Sequence, residues 1–233
     1  MLNQQQIPLD FLHFDEKTFN QYVFGKNSEL DIILNDPKQQ VIFIWGEPFS
    51  GKTHLLSALY QQYLKNNKSA IYLPLSINHE TSSQKIPIQM LENIEQSDLV
   101  CIDDIETIAG NREWEEALFF LYNQMLSNGH KLLISGKNNA ENINFCLKDL
   151  KSRLQWGITY HLKPLDDNDK IQILQNRAEI KSFSLSSEVA QFLVNRVSRN
   201  LEDLLQLLDK LDFATLSEQR KLTIPFVKKT LGL

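Results

Sequence analysis

Cysteine is scarce in this chain: Cys101 and Cys146 are the only two among 233 residues. Two thiols cannot staple a disulfide framework, and these two match no zinc-ligand spacing. An excess of positive charge is also missing. There are 24 Lys and Arg against 29 Asp and Glu, a net charge of −5. A passive nucleic-acid coat needs cations to displace counterions from phosphates, so that class recedes, although a local basic patch is still allowed. No stretch approaches about 18 uninterrupted apolar residues, the length of a membrane span. No N-terminal segment joins a basic start to an apolar run, so no secretory signal is expected. Repeats are absent, and the five histidines (His13, His54, His79, His130, His161) form no cluster. A soluble chain in the reducing cytoplasm is the expectation.

What the chain does have is a change of hydrophobic period. Its length suggests roughly one and a half domains. Val41–Trp45 is a continuous apolar run rich in β-branched and aromatic residues, as in a parallel strand buried on both faces. Runs at Ala70–Leu75, Leu99–Ile102 and Lys131–Ile134, and a weaker one at Ile158–Leu162, follow at βαβ spacing. Between them, Leu55, Leu56, Leu59 and Tyr63 share one helical face, as do Trp114, Leu118, Leu121, Tyr122 and Met125. Alternating strands and helices predict an α/β domain with a parallel sheet. After Pro164 the strands stop. Lys170–Ile180, Ser186–Val197 and Leu201–Leu216 carry helical stripes, and Ile224–Leu231 predicts a last short helix with Pro225 in its first turn. The expected organisation is a flexible tail over residues 1–10, an α/β domain over 11–164 and a small α-helical domain over 165–233.

The sharpest motif is Gly46-Glu47-Pro48-Phe49-Ser50-Gly51-Lys52-Thr53, which fits G-x-x-x-x-G-K-[ST] between a strand and a helix. Glycines let backbone N–H groups curl round phosphate oxygens, and the helix N-terminus adds positive potential. Lys52 is expected to reach the β- and γ-phosphates, and the Thr53 hydroxyl to ligate Mg²⁺. The nucleotide-binding segment is taken to include His54, the next residue. The second element is Asp98–Asp104, an apolar strand ending in two acids. An acid at this strand end holds Mg²⁺ in P-loop NTPases, which makes Asp103 a metal ligand. Asp104 could position an attacking water, and two acids could equally cap a turn. The third element is Lys131–Gly136, a strand ending in Ser135, whose hydroxyl could sense the γ-phosphate or simply end the strand.

In this order (P-loop, Asp-Asp strand, polar strand end, C-terminal helices) the chain resembles the AAA+ ATPases. Leu99–Gly110, Trp114–Asn123, Ser152–Gly157 and Arg220–Lys228 are similar to the DnaA/Hda clade, and most of all to its regulatory inactivators of DnaA. The resemblance implies a P-loop AAA+ parallel-sheet base followed by an α-helical lid, with ADP or ATP and Mg²⁺ as cofactors. It implies that Arg153 is an arginine finger serving the nucleotide of a neighbour, and that Arg199 is the lid arginine that contacts nucleotide. It implies that Gln4, Ile7, Pro8 and Leu9 form a peptide for the DNA polymerase III sliding clamp (β subunit). Pro8 favours an extended backbone there, which sets Ile7 and Leu9 to the same side. One departure stands out: the family often has an acid soon after the polar strand end, whereas Lys137-Asn138-Asn139 follows Gly136 here. Only Ser135 carries over from that element.

The resemblance implies a negative regulator of replication initiation. Tethered to the DNA-loaded clamp, it would promote hydrolysis of DnaA-bound ATP through Arg153, with weak or absent turnover of its own. Contact with DNA would be indirect, through the clamp, and a homodimer is a further assembly it allows. The sequence ends directly after the lid pattern, without the DNA-reading helix-turn-helix domain of full initiators. The alternative is an autonomous AAA+ ATPase acting as a helicase loader or initiation factor, which would need Asp104 or another base to act in cis, plus a finger from a copy of itself.

Overall fold

A computed structural model describes residues 18–76, 87–218 and 221–232. Gln4, Ile7, Pro8 and Leu9 lie outside the described residues. The first helix, α1 (Glu29–Asn35), leads into β1 (Val41–Trp45), and α2 (Lys52–Lys65) follows the phosphate motif directly. Then come β2 (Ala70–Pro74), β3 (Leu99–Asp103), α3 (Arg112–Asn128), β4 (Lys131–Gly136), α4 (Lys148–Trp156) and β5 (Ile158–His161). The remaining elements are helical: α5 (Asp167–Ile180), α6 (Ser187–Arg196), α7 (Leu201–Glu218) and α8 (Ile224–Leu231).

All five strands pair in parallel, in the order β2-β3-β4-β1-β5. Alternate side chains of each strand point to opposite faces, and both faces are covered. On one face Val41, Phe43, Val100, Ile102, Leu132 and Ile134 pack with Leu118, Leu121 and Met125 of α3 and with Leu150 and Leu154 of α4. On the other face Ile42, Ile44, Cys101 and Leu133 meet Leu30 and Leu34 of α1 and Leu55, Leu56 and Leu59 of α2. This explains why the strand sequences are continuously apolar: a solvated face would show alternation. The result is an α/β/α sandwich followed by a helical bundle, the architecture the sequence predicts.

The bundle has its own core, built on Leu174, Leu193, Leu204, Leu208, Leu211 and Val227. Its helices carry their own start signals. Asp166 and Asp169 form a reciprocal capping box at α5, so that helix begins three residues before the predicted Lys170. Ser186 caps α6, and Thr223 caps α8 with Pro225 in the first turn. The stripe predicted for α7 is only partly used: Leu204, Leu208 and Leu211 are buried, whereas Phe213 and Leu216 are exposed.

The joint between sheet and bundle is pinned by one buried amide. The Asn27 side chain donates to the Lys163 carbonyl (3.1 Å) and accepts from the Lys163 N–H (2.8 Å). This is the exchange a strand residue makes with its neighbour, supplied by a side chain. Lys26 adds an ion pair with Asp166 at 3.6 Å.

Candidate phosphate and metal site

The phosphate motif runs off the end of β1 and turns into α2. Gly51 takes φ +96°, where a side chain would be strained, and an added Cβ would lie 3.2 Å from the Tyr22 ring. Phe49 also holds a positive φ, 61°, with its ring half exposed. Tyr22 packs edge-on to His54, and His54 Nε2 lies 3.3 Å from the Thr18 carbonyl. The segment before α1 therefore lies against the motif.

Lys52 is buried, and its Nζ donates to the carbonyls of Gly46 (2.7 Å) and Glu47 (2.8 Å). Burial pushes its pKa down, while the nearby charges of Asp103, Asp104 and Glu106 push it back up. A cation folded onto its own loop, facing acids it does not touch, is suited to an incoming polyanion. Thr53 stands in the first turn of α2, half-buried.

Asp103 is the last residue of β3 and is almost completely buried. Its two carboxylate oxygens accept from different hydroxyls: Tyr72 donates to Oδ2 at 2.7 Å, and Ser135 donates to Oδ1. The chain then turns through a left-handed Asp104 (φ 60°), whose N–H donates to Ser135 Oγ at 3.1 Å and whose carboxylate accepts from Ser76. Ser135, fully buried, thus has its hydroxyl directed at Asp103. After β4, Glu106 accepts from the Lys137 N–H (3.2 Å) and pairs with its ammonium (3.5 Å). Lys137, in the place where an acid is common, is therefore bound to an acid from the neighbouring loop.

Thr53 and Asp103 supply hard oxygen donors, the chemistry that suits Mg²⁺. Among the described residues, no cluster of three or more His, Cys, Asp or Glu could hold a metal unaided. Mg²⁺ is commonly held by one or two protein oxygens, with phosphates and water completing its shell.

A second group of residues lies on α3 and α4. The Arg153 guanidinium stands 6.0 Å from the Tyr122 ring centre and 5.6 Å from that of Trp156, whose side chain is 80% exposed. Arg153 and Trp156, together with Phe119, Asp149 and Ser152, line an open pocket of about 340 Å³. Arg153 makes no ion pair among the described residues, even with Asp149 one turn away. Arg199 is exposed in the turn between α6 and α7, where Asn200 caps α7 by accepting from the N–H groups of Glu202 and Asp203.

Two residues tie these regions together that sequence reasoning passed over. Tyr72 lay within an apolar run and gave no signal beyond a core aromatic. Glu115, in the first turn of α3, had the pattern of a solvated acid, yet it is fully buried. Its oxygens accept from the N–H groups of Gly110 and Leu147, each at 2.7 Å. It therefore joins the loop after β3 to the start of the helix carrying Arg153. The signal that could have found it was its place three residues before Leu118 and seven before Tyr122, on the apolar face of α3.

A parallel sheet with β4 between the phosphate-loop strand and the acid-ended strand, followed by a helical bundle, defines a P-loop protein of the AAA+ type. The model for the bacterial DnaA ATPase domain matches residues 14–161, and that for the Hda lid domain matches residues 167–231. An uncharacterized protein of Haemophilus influenzae is 44% identical over 235 residues, covering 98% of this chain and 99% of that one. Domain III of the Thermotoga maritima replication initiation protein DnaA superposes with a TM-score of 0.76 at 20% identity, covering 93% of this chain and 96% of that one. AMPPCP-bound DnaA from Aquifex aeolicus gives 0.68 at 20% identity (90% and 70%), and the Thermotoga maritima RuvB branch-migration motor 0.68 at 15% (93% and 71%). The solved structures speak for the fold alone. The chain belongs to the DnaA/Hda family of AAA+ proteins. Among the described residues, no helix is long and apolar enough to cross a membrane.

Proposed function

We propose that this protein is a negative regulator of replication initiation that acts on DnaA in trans. Residues 11–164 form its nucleotide-binding base and 165–233 its lid. ADP or ATP with Mg²⁺ occupies the Gly46–His54 segment. Backbone N–H groups and Lys52 bind the phosphates, exchanging the Gly46 and Glu47 carbonyls for phosphate oxygens at Nζ. Thr53 and Asp103 hold the cation, which neutralises phosphate charge when bound, and Ser135 orients Asp103. Arg199 reports nucleotide to the lid. Residues 1–10 tether the chain to the DNA-loaded sliding clamp through Gln4, Ile7, Pro8 and Leu9, so contact with DNA is indirect.

The observation that carries the reading is the state of Arg153. Among the described residues the Arg153 guanidinium makes no ion pair; steadied by two aromatic faces at an open pocket, it is a charge on a prepared support. An arginine finger needs those properties to meet the phosphates of another molecule. Asp104 accepts from Ser76 and keeps further acceptor sites, so turnover by the chain alone is what separates this reading from an autonomous ATPase.

The test mixes the full chain with clamp on DNA and ATP-bound DnaA and follows ATP hydrolysis. Arg153→Ala is expected to reduce stimulation by about a thousandfold, the lower end of a finger's effect. Full stimulation by that variant would refute the finger. Deleting residues 1–9 without loss would refute the tether. Steady ATP turnover by the chain alone would favour the autonomous ATPase.

A further inference from the structure

We propose that Tyr72 is a positioning residue of the phosphate and metal site, holding the Asp103 carboxylate in register with the helix that presents Thr53. The inference rests on the reading that this site takes a nucleotide with a divalent cation.

Three elements meet at one phenol. Tyr72 belongs to β2 and is almost fully buried. Its hydroxyl donates to Asp103 Oδ2 on β3 at 2.7 Å. The same hydroxyl is met by the side chain of Ser57 on α2. Ser57 in turn donates to the Thr53 carbonyl at 2.8 Å. Ser57 has one proton, which reaches either the Thr53 carbonyl or the phenol oxygen, so its hydroxyl lies between the residue that offers a hydroxyl to the cation and the tyrosine that holds the carboxylate. Thr53 and Asp103 would both touch the cation, and Tyr72 lies between them.

Packing does not require the hydroxyl. The ring lies in the core with Tyr60, at a centroid distance of 6.4 Å, and a phenylalanine would fill the same volume. The kind of donor matters as well. A buried carboxylate must be hydrogen-bonded, and the partner chosen decides what charge is left. Lys or Arg would satisfy Asp103 and cancel it. Tyr72 and Ser135 are neutral: they fix both oxygens and leave the negative charge for a cation. Among the described residues Asp103 makes no ion pair, and the nearby ammonium of Lys52 is turned onto loop carbonyls instead. Each carboxylate oxygen keeps a second acceptor site.

Removing the hydroxyl should therefore lower the contribution of the metal while leaving the phosphate loop intact. The experiment measures ADP affinity of the full chain calorimetrically, once in saturating Mg²⁺ and once in EDTA, and takes the ratio. For Tyr72→Phe the ratio is expected to fall about tenfold, the lower end of the loss when a partner of a metal-binding group is removed. Affinity in EDTA should stay within about twofold, since the loop contacts are untouched. A ratio equal to that of the unmodified protein overturns the proposal, because a tyrosine that only packs would lower melting temperature without moving it. If Tyr72→Phe does not fold, Ser57→Ala decides: a severalfold fall supports the proposal and an unchanged ratio overturns it. Failure of the unmodified protein to bind ADP would instead overturn the nucleotide reading, and the Tyr72 role with it.

Discussion

Replacing Glu115 by Gln tests whether a single buried carboxylate couples the loop after β3 to the arginine helix. The side chain is 0% exposed, and each of its oxygens takes one backbone N–H at 2.7 Å, from Gly110 and from Leu147. Glutamine has the same shape but only one acceptor. Whichever way the amide turns, its NH₂ faces one of the two N–H donors. One charge-assisted bond is lost, worth about 1.5–3 kcal/mol, and the surviving bond loses its charge. Against this, a neutral amide is cheaper to bury than a carboxylate. The net loss is about 2 kcal/mol, which for a chain of this size lowers Tm by about 4–8 °C. The assay is thermal and urea unfolding of the full chain, with the urea slope unchanged if only stability has moved. The variant should also stimulate DnaA less, because Leu147 is the residue from which α4 begins. A Tm within about 1 °C of the parent would refute the argument that these two bonds carry net stability.

Two further predictions follow from the phosphate loop. Burial lowers the pKa of Lys52, so it deprotonates below the ordinary lysine range and ADP affinity should fall as pH rises through that lowered value. Folding runs the other way, since the unfolded lysine keeps its proton longer and stability from this group increases between its lowered pKa and about 10.4. ADP affinity that stays flat up to the ordinary lysine range would contradict this. Gly51→Ala places a Cβ at φ +96° and 3.2 Å from Tyr22, so it should cost at least about 1 kcal/mol and weaken ADP binding, read by unfolding and calorimetry. Unchanged stability and affinity would show that the turn is not under that constraint.

The strands and their parallel class were legible because each strand is buried on both faces and so is apolar without interruption. Strand order was not: that β4 lies between β1 and β3 depends on pairings between residues some ninety positions apart, such as Val41 with Leu132. The phosphate motif could be read directly, since its chemistry is local to eight residues. Asp103 was legible as an acid at a strand end. Its partners were not, because Tyr72 and Ser135 converge on it from two other strands. Glu115 escaped for a similar reason: its burial depends on the chain returning at Leu147, 32 residues later. Sequence pattern thus located the groups with distinctive local chemistry. It missed the groups whose role arises only when distant backbone meets them.

The Asn27 clamp has a mechanical consequence. It fixes Lys163 as though that residue were one more rung of the sheet, and Asp166 is already committed to capping α5. Only Pro164 and Leu165 lie between them. With planar peptides and the proline φ locked, about three soft torsions remain in that stretch. Motion of the bundle is thereby concentrated into a few bonds, like a door on a short hinge. On a lever as long as α7, about 27 Å, a turn of about 20° moves the far end by about 9 Å. Small torsional changes in that short stretch therefore translate into bundle displacements of a side chain's length, while Arg153 keeps its place on α4.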